Sequence, residues 1–105
     1  MSIYGEWLAA TIAASGTDSS EVNLGKDFDF IEIQTPTMDA CTVKIQVAES
    51  SGGTFYNLGD AQTTTSGTHN YADVFKLGGY QFIKVIASAA QSSGAVAIRV
   101  RGMRF

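Results

Sequence analysis

The chain has 105 residues, a net charge of −3, one cysteine and only 16% charged residues, against roughly 25% in an average soluble domain. Gly supplies 11 positions and Ser and Thr 10 each, while helix-building residues are scarce. This excludes a coiled coil, a collagen, a disulfide scaffold, a disordered chain and a basic nucleic-acid binder, and it sizes residues 1–105 as one domain.

The dominant pattern along the chain is period two, the signature of half-buried strands. Trp7 to Ile12 is apolar and reads as a strand, although its alanines also tolerate helix. The stretch from Trp7 to Ala14 has no basic residues ahead of it and is too short to span a bilayer, so neither a signal peptide nor a membrane helix is expected. Val22 and Leu24 alternate with Glu21 and Asn23. Phe28 and Phe30 alternate with Asp27 and Asp29, and the apolar set then changes parity to Ile31 and Ile33. That change predicts a bulge or a strand covered on both faces.

Pro36 separates this strand from the next, in which Cys41, Val43, Ile45 and Val47 alternate with Thr42, Lys44 and Gln46. Cys41 is expected to be a buried, reduced thiol. Ser50-Ser51-Gly52-Gly53 reads as a hairpin turn leading into Thr54 to Leu58. Gln62 to Asn70 is polar and lacks core residues, and is expected to be a long loop or a projecting arm. Asn70 to Phe75, Tyr80 to Ala87 and Val96 to Arg101 are the remaining strands, with Gly78-Gly79 and Ser92-Ser93-Gly94 between them. Seven or eight such strands predict an all-β, antiparallel sandwich, with jelly-roll-like and Ig-like topologies both open.

Little in this sequence suits catalysis. His69 is the one histidine, in a polar segment, and Cys41 lies in a strand with no third group to orient a pair. Asp27, Asp29 and Glu32 are close in sequence, but no zinc or EF-hand spacing is present. The glycine pairs are not followed by lysine and a helix start, so no phosphate cradle forms. No enzyme activity, cofactor or metal is expected. Aromatic residues Tyr4, Trp7, Tyr56, Tyr71 and Tyr80 offer flat faces for sugar rings if they project outward, and core residues if they do not.

Charge is unevenly distributed. All ten acids lie at or before Asp73, whereas Lys76, Lys84, Arg99, Arg101 and Arg104 follow it. Either strands of the two halves interleave in one sandwich, or complementary ends meet between subunits. Arg99 and Arg101 face one way on a strand. With Arg104 they suit pairing with Glu21, Asp27 or Asp29, or contact with an acidic partner surface. As a nucleic-acid patch they are too few.

The succession S-S-E-V-N-L-G (19–25), F-D-F-I-E-I-Q-T-P (28–36), C-T-V-K-I-Q-V-A-E-S-S-G-G-T-F-Y-N-L (41–58), L-G-G-Y-Q-F-I-K-V-I-A-S-A-A-Q (77–91) and I-R-V-R-G (98–102) covers most of the chain. It resembles small β-sandwich virion proteins of tailed bacteriophages and prophages: capsid decoration (cement) proteins, head fibres and tail components. The resemblance implies a structural role in the virion after assembly in the host bacterial cytoplasm, with the major capsid protein or another virion protein as partner, and it carries no catalytic residue. A domain so poor in charge is expected to bury further surface against copies of itself, a trimer suiting three-fold positions of a shell. The expected contacts are Arg99, Arg101 and Arg104 for polar recognition, Trp7 and Phe105 as apolar anchors, and Thr63, Thr64, Thr65 and His69 on an arm. The alternative reading is a tail or head-fibre module binding host-surface glycan.

Overall fold

A computed structural model of the chain describes residues 3–39, 41–58, 70–92 and 94–105, together with the backbone of 63–66. Ten strands are present among these residues: β1 (Ile3–Tyr4), β2 (Leu8–Ile12), β3 (Val22–Asn23), β4 (Phe30–Thr35), β5 (Cys41–Ala48), β6 (Tyr56–Asn57), β7 (Thr63–Ser66), β8 (Tyr71–Lys76), β9 (Phe82–Ala87) and β10 (Val96–Arg104). They form two antiparallel sheets packed as a sandwich. One has the order β1-β10-β4-β8, with β2 also on β10, and the other the order β3-β9-β5-β6, with β7 also on β5.

Strands β1 and β2 lie along one edge of β10, and β6 and β7 along one edge of β5. Each couple is one interrupted edge strand, so the sandwich has eight strand positions, four in each sheet. The register explains the order. Ile3 faces Arg104, Val22 faces Ile83, Phe30 faces Lys76 and Val43 faces Thr64, each pair nearly equidistant from the middle of the chain. The chain is folded in half as one long antiparallel ribbon. The ribbon is then rolled so that β4 meets β10 and β5 meets β9. This is a jelly roll, and it settles the topology that the strand spacing left open.

Period two decides what goes inside. Ile31 and Ile33 of β4, Val43, Ile45 and Val47 of β5, Ile83 and Val85 of β9, and Ile98 and Val100 of β10 are all buried in one cluster. Their intervening neighbours point outward. Burying each such side chain stabilises by about 1.5–3 kcal/mol. The predicted turn at Ser50–Gly53 closes through Gly53 N–H donating to Ser50 O at 3.1 Å, with Gly52 at φ +71°, where a side chain would be strained. The Glu21 carboxylate ties this turn to β3 by accepting from Ser51 Oγ at 2.6 Å and Gly52 N–H at 2.8 Å.

Three expectations are corrected. Residues 63–66 are not loop or arm but strand β7, paired with Cys41–Lys44. Consecutive β-branched threonines favour extended backbone, and an edge strand needs only main-chain bonds to β5. Gln62 and His69 lie outside the described residues. Cys41 is half-buried rather than buried, because it opens β5 at the rim of the core, where Gln91 Nε2 donates to Sγ at 3.9 Å. Glu21, one candidate partner for the C-terminal arginines, is instead spent on the hairpin turn.

The parity change at Phe28–Ile33 has a structural cause. Phe28 precedes β4 and is buried against β10, whose Gly102 leaves room for the ring. Phe30 turns to the opposite, outer face, where Phe105 covers it at a ring-centroid distance of 5.3 Å. The strand is therefore covered on both faces at this point.

Candidate functional site

The outer face of the sheet containing β10 concentrates the residues singled out from sequence. Ala97, Arg99, Arg101 and Met103 alternate on that face of β10. Their cross-strand partners on β4 are Gln34, Glu32 and Phe30, opposite Arg99, Arg101 and Met103 respectively. Beyond β4, Ala72, Val74 and Lys76 of β8 continue the rows.

A bulge brings the N-terminus into this surface. Leu8 pairs with Val100 and Tyr4 with Met103, so Gly5, Glu6 and Trp7 stand opposite only Arg101 and Gly102. The extra residue reverses the side-chain alternation. Leu8, Ala10 and Ile12 face the core, while Tyr4, which would otherwise share their face, is turned outward beside Met103. Gly5 N–H donates to Gly102 O at 2.8 Å and holds the edge across the bulge.

The result is a continuous row of rings and guanidinium groups. Tyr4 meets Phe105 edge-on with centroids 5.9 Å apart. The Arg101 guanidinium lies 5.0 Å from the Tyr4 ring and 4.6 Å from the Trp7 ring. Arg99 sits 4.9 Å from the same indole. Trp7 is thus half-buried under two cations rather than projecting freely. Each exposed stack is worth about 0.5–1 kcal/mol and holds the long arginine side chains in place.

The arginines differ in electrostatic state. Arg101 forms a salt bridge with Glu32 at 2.9 Å. Arg104 reaches Asp27 and Asp29, each at 3.6 Å, and also donates to the Asp27 carbonyl. Arg99 has no carboxylate within salt-bridge distance among the described residues. Pairing within the subunit, one of the two sequence readings, therefore holds for Arg101 and Arg104, through Glu32 as well as Asp27 and Asp29.

Exposed apolar area lies on the same sheet face. Phe105 is 60% exposed, Tyr4 55% and Val74 49%, with Met103 buried between Tyr4 and Phe30. At the other end, a shallow groove of about 350 Å³ opens between Arg99 and Tyr71 over Gln34, Ala72 and Ala97. The sequence marked out Trp7, Tyr4, the arginines and Phe105, and Glu32 only beside Asp27 and Asp29 as a metal candidate; Phe30 and Gln34 were missed as members of this surface. Their outward alternation on β4 is the signal that marks them. Thr63, Thr64 and Thr65 lie on the other sheet, in β7, away from this surface. Among the described residues no group of three or more His, Cys, Asp or Glu side chains is placed to hold a metal ion.

No family model matches the chain, and no curated protein sequence matches it. Solved structures do share its fold. SPBc2 prophage-derived protein YomS superposes with a TM-score of 0.64 at 14% identity, covering 98% of this chain and 95% of that one. A family 29 carbohydrate-binding module from Piromyces equi gives 0.55 at 12% identity, over 99% and 91% of the two chains. Tobacco streak virus coat protein gives 0.53 at 8% identity, over 95% and 83%. At these identities the likeness is one of fold: the chain is an all-β jelly-roll sandwich similar to structural proteins of viruses and to carbohydrate-binding modules.

Proposed function

We propose that this chain is a structural virion protein of a bacteriophage and acts as a decoration subunit on the outside of the capsid. The observation that carries this reading is the exposed pair of rings Phe105 and Tyr4, backed by Phe30 and Met103, with exposed Val74 of β8 on the same sheet face. Rigid aromatic anchors on a sheet face suit repeated subunit contact, because they bury area at low conformational cost. The fold likeness to a prophage-derived protein and to a viral coat protein supports the same role. Binding free energy summed over many copies would be its work, with the major capsid protein as partner and no chemical turnover. Copies grouped as trimers would suit three-fold positions of the shell.

The test is binding of the purified protein to expanded cognate shells. Saturable binding and greater resistance of the shells to heat are expected. The pair of changes Tyr4→Ala and Phe105→Ala should weaken binding by at least about tenfold, the equivalent of roughly 1.4 kcal/mol. Absence of saturable binding would sink the proposal. Copy number in purified virions gives an independent reading: hundreds of copies support a shell position, and a handful would place the protein in the tail.

A further inference from the structure

The groove beside Arg99 adjoins one end of the row of rings and guanidinium groups, with Arg99 common to both. Gln34 pairs with Arg99 on one side and with Ala72 on the other, so these three residues stand abreast on the outer face. Ala97 lies two residues before Arg99 on the same face. The short side chains of Ala72 and Ala97 leave a trough on the sheet, with Tyr71 and Asn70 at one wall and Arg99 at the other. Its volume of about 350 Å³ is at the small end of ligand clefts.

Three facts define the chemistry the trough would accept. First, Arg99 is the C-terminal arginine without a carboxylate partner among the described residues, whereas Arg101 and Arg104 are neutralised by Glu32, Asp27 and Asp29. Its guanidinium carbon sits 4.9 Å from the Trp7 ring centroid, and a cation over a ring keeps its N–H donors. Second, the Gln34 and Asn70 amides can both donate and accept, as vicinal sugar hydroxyls require. Third, the alanine floor and Pro36 offer apolar surface to the C–H face of a pyranose. One cation matches one carboxylate, while a phosphate dianion calls for more. We infer that this groove binds an acidic saccharide, a uronic or sialic acid unit, with its carboxylate on Arg99.

The experiment is an amide-resolved NMR titration of the full chain with trigalacturonate and with sialyllactose. Galactotriose and lactose serve as neutral counterparts, and a polyglutamate peptide as a protein-like carboxylate. Saturable shifts centred on Gln34, Ala72, Ala97 and Arg99 are expected with at least one acidic sugar. Arg99→Gln should weaken that binding at least about tenfold, since a charge-assisted hydrogen bond is lost. Ala97→Trp, which fills the trough without touching the charge, should do the same. Lys84→Ala, on the other sheet, should leave binding unchanged. The inference is overturned if neither acidic sugar saturates. It is equally overturned if neutral sugars or the peptide bind as well, or if Arg99→Gln and Ala97→Trp bind like wild type.

Discussion

Among the described glycines, Gly102 is the one whose added Cβ would meet the tightest contact. A Cβ built there would lie 2.0 Å from Phe28 Cδ2, 2.3 Å from Cγ and 2.6 Å from Cε2. Carbon atoms pack at about 3.5–4.0 Å, so the ring would have to withdraw by roughly 1.5 Å. It has nowhere to go. Phe28 is 3% exposed, and its ring is packed so closely between Gly102 and Gly5 that a Cβ on either glycine would crowd it. Overpacking of this kind costs about 1–3 kcal/mol, occasionally more, and the top of that range applies here. Reduced freedom of the unfolded chain returns about 0.4–1 kcal/mol. Gly102→Ala should therefore destabilise by about 2–3 kcal/mol and lower Tm by roughly 10–20 °C. Urea unfolding of wild type, Gly102→Ala, Phe28→Ala and the double variant forms a cycle. Phe28→Ala alone should cost about 3–5 kcal/mol. Once the ring is gone, adding the methyl group should be nearly neutral, giving a coupling of about 2 kcal/mol. If Gly102→Ala melts with wild type, or costs as much without the ring as with it, the packing argument fails.

Two further outcomes follow from groups whose protonation the fold perturbs. The Gly52 N–H and, after it, the Ser51 hydroxyl hold the Glu21 carboxyl below its ordinary value of 4.5. A depressed carboxylate contributes stability that is present above its unfolded pKa and lost as pH falls through the folded one. The stability gap between wild type and Glu21→Ala should thus be full at neutral pH and close in acid below about pH 4.5; a pH-independent gap in thermal melts refutes the tether. Burial pushes the Cys41 thiol up, against a smaller opposing effect of the Gln91 amide. Alkylation near neutral pH should then run slower in the native protein than in urea, because the thiolate is the reactive form, and equal rates would contradict this placement.

Much of the sandwich is legible because its causes are local. Period-two apolar residues at Val43–Ile45–Val47 and Ile98–Val100 find the core whatever their partners. The Ser50–Gly53 turn is likewise written in adjacent residues. Residues 63–66 misled because an edge strand held by main-chain bonds needs no apolar face to announce it. The arginine row was legible as a facing pair at Arg99 and Arg101, yet the state of each charge was not. That state depends on Glu32 and Asp29, some seventy positions away.

The sequence by itself determined an antiparallel β-sandwich poor in charge, with acids early and bases late. Tertiary structure decided what that segregation means. Folding the ribbon in half and rolling it sets β4 against β10, so early acids neutralise two late arginines within one subunit, while Arg99 has no carboxylate within salt-bridge distance among the described residues. It also decided that Tyr4 faces outward, because the bulge at Gly5–Trp7 exists only as a mismatch with β10. Periodicity is a property of one strand. Register, bulges and ion pairs are properties of two, and no single strand encodes them.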